Sequence, residues 1–176
     1  MFQENDMVVY GGQSVCEVVS VGPLPVKMAM GNAKQEYYTL RPIYQRDSLV
    51  YVPIGNEKVV MRYVITEEEA KELVNKIPGI KAAWIEKDSE REQEYKRALS
   101  SCDPEQLIMI IKALYKRRQA RIDDGKKVTV VDERYFKMAE KQLYEELAYA
   151  LHMQRDEVGD YIAEFMKRSK NKKSSV

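Results

Sequence analysis

The sequence predicts an α+β protein of two modules, a small, strongly bent β-sheet at the N-terminus and a compact all-α bundle behind it. Three observations predict this. The hydrophobic period changes from two to about 3.6 near Val64–Thr66, turn signals crowd the first third of the chain, and helix start signals crowd the rest. At 176 residues the chain has room for two small domains, and 44% hydrophobic with 32% charged residues is a globular composition. We expect a sheet domain at 1–64, a helical domain at 65–166 and a basic disordered tail at 167–176.

The sheet is read as follows. Met7-Val8-Val9-Tyr10 is a short apolar run closed by the turn pair Gly11-Gly12. Val15 to Val21 is Val-rich and is broken by Gly22-Pro23, and Gly31-Asn32 marks a further turn. Glu36 to Leu40 and Leu49 to Val52 are strand candidates bounded by Pro42, Asp47 and Pro53. Four or five short strands with turns this close give a sheet with a thin core and at least one unpaired edge.

The helices follow in order. Thr66 with Glu69 forms a capping box before Ala70, Leu73, Val74 and Ile77, and Pro78-Gly79 ends that helix. Ser89 with Glu92 reads as a second box, before Tyr95, Ala98 and Leu99. Asp103-Pro104 opens a third helix with Leu107, Ile110, Ile111, Leu114 and Tyr115 on one side, ended by Gly125. Asp132 is expected to open a fourth and Asp156 a fifth. Lys167 to Val176 holds five basic residues and no acid, which suggests the disordered tail.

No enzymatic constellation is legible. The single histidine, His152, falls late in a helix, and no phosphate-loop or dinucleotide fingerprint occurs. Cys16 and Cys102 lie far apart and form no metal or redox motif, so no metal and no cofactor is expected. With no apolar run near ~20 residues and acids at Glu4 and Asp6, no membrane span or signal peptide is expected either, and the expected location is the cytoplasm.

Charge and aromatics suggest binding. Between Lys112 and Lys127 lie seven cations against two carboxylates; Lys116, Arg117 and Arg121 are the candidates to neutralise phosphates, or equally a solvated helix end. Residues 66–176 as a whole are nearly neutral, with 23 basic and 22 acidic residues. Trp84, the only tryptophan, sits between the stop at Pro78-Gly79 and Ser89. Two roles fit it. It either pins the two modules together as buried core, or serves as a wedge against nucleic acid, flanked by Arg91, Lys96 and Arg97. Its exposure separates the two.

The order of parts resembles the CarD/CdnL family of bacterial transcription regulators. The residues carrying the likeness are Met7-Val-Val-Tyr10, Tyr37-Tyr38-Thr-Leu40, Leu49-Val-Tyr-Val-Pro53, Trp84, Glu94-Tyr95-Lys96, Asp103, Leu114-Tyr115 and Glu145-Glu146-Leu147-Ala148, over roughly residues 2 to 165. The resemblance implies a Tudor/SH3-like sheet that docks on the β subunit lobe of RNA polymerase by strand pairing, here through Leu49, Val50, Tyr51 and Val52. It also implies that Trp84 enters promoter DNA at the upstream edge of the melted bubble and stabilises the open complex with little sequence specificity. Two features depart from the family pattern. An acidic insert, Ile85 to Glu94, separates Trp84 from Tyr95-Lys96, and Tyr51 stands where some relatives carry arginine. The competing readings are a protein-only adaptor, with Trp84 buried, and an enzyme acting on nucleic acid.

Overall fold

The computed structural model describes residues 1–24, 35–45, 47–85 and 87–173. The turn expected at Gly31-Asn32 lies outside them. Among the described residues five strands form one antiparallel sheet: β1 (Met7–Tyr10), β2 (Val15–Pro23), β3 (Glu36–Pro42), β4 (Val50–Pro53) and β5 (Met61–Tyr63). Their order is β4-β3-β2-β1-β5. In register, Val8 faces Cys16, Val18 faces Leu40 and Tyr38 faces Val52; together these six side chains are the buried core of the sheet. The register of β2 on β3 slips between Val18 and Ser20, a bulge that bends the long strand β2. β5, three residues without apolar alternation, was not legible as a strand.

The β1–β2 turn needs glycine. Gly11 has φ +42°, and a Cβ there would lie 2.9 Å from Cγ1 of Val59.

Five helices follow: α1 (Glu67–Lys76), α2 (Arg91–Ser101), α3 (Pro104–Asp123), α4 (Val130–Ala150) and α5 (Val158–Lys173). They enclose a second apolar core built on Leu73, Val74, Leu99, Leu107, Leu114, Leu143 and Leu147. The capping box at Thr66 forms as expected, with Glu69 N–H donating to Thr66 Oγ1 at 3.2 Å and Thr66 N–H to Glu69 Oε2 at 2.8 Å. Asp103 caps α3, and Pro104 occupies its first turn.

Four expectations need correction. Ser89 does not cap α2: Asp88–Glu90 form a 3-10 turn, and Glu92 is drawn instead to the Tyr135 hydroxyl at 2.9 Å and to Lys96 at 3.2 Å. Thr129, not Asp132, caps α4, because the Asp132 carboxylate is buried and engaged by Arg117. Gln154 and Glu157, rather than Asp156, form the box ahead of α5. Finally, α5 continues through Lys173, where a disordered tail was expected; Lys and Arg are good helix formers, cations are favoured at a helix C-terminus, and Arg168 pairs with Glu164 one turn back at 3.7 Å. Residues 174–176 lie outside the described residues.

The two cores meet across a polar seam. Arg62 on β5 makes a two-pronged ion pair with the buried Glu146 of α4, at 2.5 and 2.8 Å, and its Nε donates to Cys102 O at 2.7 Å. Gln142 Nε2 donates to Gly11 O at 3.1 Å, and the Tyr44 hydroxyl donates to Glu145 O at 3.1 Å.

Candidate functional site

Trp84 lies on a stretch without regular structure that leaves α1 through the 3-10 turn Ile77–Gly79. The stretch is tied to α3 from both sides. Ala83 N–H donates to Met109 O at 3.0 Å, and the Lys112 ammonium donates to the carbonyls of Ile77 and Ile80. Ile80, Ala83 and Ile85 pack on the helical core. Lys81 and Trp84, which fall between these anchors, are left outside. Trp84 is 89% exposed. An indole has far more to gain from burial than most side chains, so one held in water between packed neighbours is unusual.

Beside the indole is a shallow cavity of about 260 Å³, lined by Ala82, Ala83, Trp84, Ile85, Arg91, Ala113 and Lys116. Of the basic residues singled out from sequence, Arg91 and Lys116 are therefore brought to Trp84. Lys116 is exposed and forms no ion pair among the described residues. Arg91 is mostly covered, pairs with Asp88, and has a buried Nε with no hydrogen-bond partner among the described residues. Lys112 is a neighbour that the candidate set omitted. Burial, and then the positive charge of Lys116, push its ammonium below the usual lysine range.

The other candidates are placed differently. Arg117 is turned inward, with its Nε 2.8 Å from the Asp132 carboxylate and a terminal nitrogen 3.6 Å from Asp88. Arg121 Nε donates to Lys127 O at 2.8 Å and so closes the α3–α4 loop. Lys96 and Arg97 are exposed, yet each is paired with a carboxylate of its own helix, Glu92 and Glu94 respectively. The acidic insert thus takes up the local cations. The inward cation Arg117 could have been suspected from Asp132, an acid on an otherwise apolar helix face.

The second surface is the sheet edge. β4 pairs with β3 on one side, and no strand among the described residues pairs with its other side. Val52 points into the sheet core and Val50 packs against it, while Tyr51, one residue out of phase, points to the opposite face across from Thr39. Leu49 precedes the strand and is 45% exposed. The other edge, β5, is tied to the helices through the Arg62 side chain. Along the sheet β4 lies four strand spacings from β5, about 19 Å.

His152 sits just past α4, not within it, with φ +55°, and its Nε2 is 3.9 Å from Glu67. Among the described residues no three His, Cys, Asp or Glu side chains gather to hold a metal, and no helix is long and apolar enough to cross a membrane. Both cysteines are free and buried, and burial pushes the Cys16 thiol up to about 12.

Comparison with known proteins adds one finding to this geometry. Residues 2–65 match the sequence model of the CarD-like/TRCF RID domain. No curated protein matches the chain. The matched residues run from the start of the chain to the end of the five-stranded sheet, the module that leaves the edge β4 open. The likeness to the CarD-like/TRCF RID domain thus covers the sheet module and not the helices behind it.

Proposed function

We propose that the protein is a non-enzymatic transcription regulator that bridges the RNA polymerase β subunit and promoter DNA and stabilises the open complex. The family of the sheet module supports the polymerase half, and strand addition at β4, through Leu49, Val50, Tyr51 and Val52, is the docking mode that its free edge suits. The exposure of Trp84 is the observation that carries the DNA half. The adaptor reading required a buried indole. An exposed one, rigidly anchored and with Lys116 beside it, suits a wedge inserted at a distorted minor groove.

The mechanism is thermodynamic. A contact available only in the open complex shifts the closed–open equilibrium by its own free energy, tenfold for each ~1.4 kcal/mol. One stacking residue and a few phosphate contacts read little sequence, so the effect is general across promoters and its sign depends on which step limits each. Because Arg117, Arg121, Lys96 and Arg97 are engaged within the protein, few cations remain for phosphate. The salt slope of DNA contact is therefore shallow, about −2 to −3 for two or three phosphates.

The test is open-complex lifetime on an unstable promoter with the cognate polymerase, comparing no factor, wild type and Trp84→Ala. Wild type is expected to lengthen the lifetime and the variant to lose most of that gain while still binding polymerase. Equal lifetimes with wild type and variant, both bound, would return the protein to the adaptor reading.

A further inference from the structure

The Gln142–Glu146 turn of α4 places three buried polar residues at i, i+3 and i+4: Gln142, Glu145 and Glu146, with 4%, 1% and 1% exposure. Neither wedge nor docking edge includes them. Two of them, together with the main chain of the third, are spent on the sheet module. Glu146 takes both prongs of Arg62 and the Ile65 N–H at 3.2 Å, Gln142 reaches Gly11 O, and Tyr44 from the β3–β4 loop donates to Glu145 O. The Glu145 carboxylate is held from the helical side by Arg155 at 3.2 Å. The seam therefore grips the sheet at three places: the β1–β2 turn, the strand β5 and the loop leading to β4.

Burial alone works against the Arg62 cation, and the hydrogen bonds and charge of Glu146 more than offset it. A buried pair of this kind is often no better for stability than apolar residues of the same shape. What it adds is direction, because hydrogen bonds fix an angle that an apolar contact lets slide.

We propose that the Gln142–Glu146 turn is a positioning clamp that holds the β4 edge and Trp84 at one fixed separation. This rests on the bridging reading. When polymerase is docked, a rigid seam presents the indole at a high effective concentration to the DNA; a loose seam lowers that concentration while leaving each contact unchanged.

The experiment uses the full chain with spin labels at Lys58→Cys on the sheet side and Lys137→Cys on α4, both exposed positions. The native thiols are buried and shifted upward by burial, so they label poorly. The inter-label distance distribution, the affinity for polymerase and the open-complex lifetime are measured for wild type, Glu146→Ala and the apolar pair Arg62→Met with Glu146→Met. The wild type is expected to give one narrow distance. The variants are expected to broaden or split it and to lose the lifetime gain several-fold, with polymerase affinity within about twofold of wild type. The apolar pair keeps the test valid if Glu146→Ala fails to fold. A distribution as narrow as wild type in the folded variants overturns the clamp, as does a broadened distribution with undiminished lifetime. If the wild type itself fails to lengthen the lifetime, the bridging reading falls, and the distance measurement still decides whether the seam is rigid.

Discussion

Replacing Arg117 with methionine should destabilise the protein markedly although the residue lies near the surface. Its Nε donates to Asp132 at 2.8 Å, and the Tyr95 hydroxyl is the other side-chain donor to that carboxylate, at 3.3 Å. Asp132 is 5% exposed, so methionine, which keeps the apolar stem, would leave a buried carboxylate facing one neutral donor. Removing one partner of a fully buried pair costs about 3–5 kcal/mol. The Arg117 side chain retains 25% exposure, and solvent screening reduces the expected cost to about 2–3 kcal/mol. For a chain of this size that lowers Tm by about 5–10 °C. Asp132→Asn in the same background should recover part of the loss, because a neutral amide no longer needs a cation. Urea unfolding at pH 7 of wild type, both single variants and the double variant gives the coupling directly. A cost of Arg117→Met below about 0.5 kcal/mol would refute the reasoning. If that stable variant also lost DNA affinity, Arg117 would be a phosphate contact after all.

Other outcomes are expected. Gly11→Ala should cost about 1–2 kcal/mol in urea unfolding, since alanine is strained at φ +42° and its methyl meets Val59; a neutral result would mean that the turn relaxes. Four carboxylates at the surface, Glu67, Glu69, Asp88 and Glu92, the first and last of them half-buried, are held below their ordinary values of 4.5 or 3.8, by hydrogen bonds from Lys71, Thr66, Arg91 and Tyr135 respectively. A lowered folded-state pKa contributes stability above the unfolded value and loses it as pH falls through the folded one. Tm should therefore be insensitive to these groups down to about pH 5 and fall below it; a Tm that rises between pH 5 and 3 contradicts this.

The fold was legible where local chemistry dictates it. Thr66-Glu69, Asp103-Pro104 and Gly125 mark helix ends through caps and a left-handed turn residue, and these depend on neighbours in sequence alone. Expectation failed where a distant partner outbid the local one. Glu92 leaves its place in the Ser89 box for Tyr135, and Asp132, whose place on an otherwise apolar face hints at a buried partner, pairs with Arg117 across the α3–α4 loop instead of capping α4. β5 stayed hidden because its short pattern carries no alternation; pairing with β1 makes it a strand. For the site, the choice of Trp84 rested on its position between helix signals, but whether it faced water depended on the packing of Ile80, Ala83 and Ile85. The seam had a readable trace. Ala139, Leu143, Leu147 and Ala150 form a helical apolar stripe, and Gln142 and Glu146 fall on it, which polar residues do when a partner awaits them inside.

The contacts across the seam engage mostly main-chain atoms. Gly11 O accepts from Gln142 and Cys102, Val60 O accepts from Cys102, the Ile65 N–H donates to Glu146, and the carbonyls of Cys102 and Glu145 accept from Arg62 and Tyr44. Peptide groups are the same whatever side chains they carry. The outward faces of both modules are thus free to drift in sequence, each with whatever it binds, without changing how the modules meet. Among the described residues Arg62 and Glu146 are the side-chain pair across the seam that would have to change together, and a substitution at one should be tolerated in a descendant chain only where the other has been replaced as well.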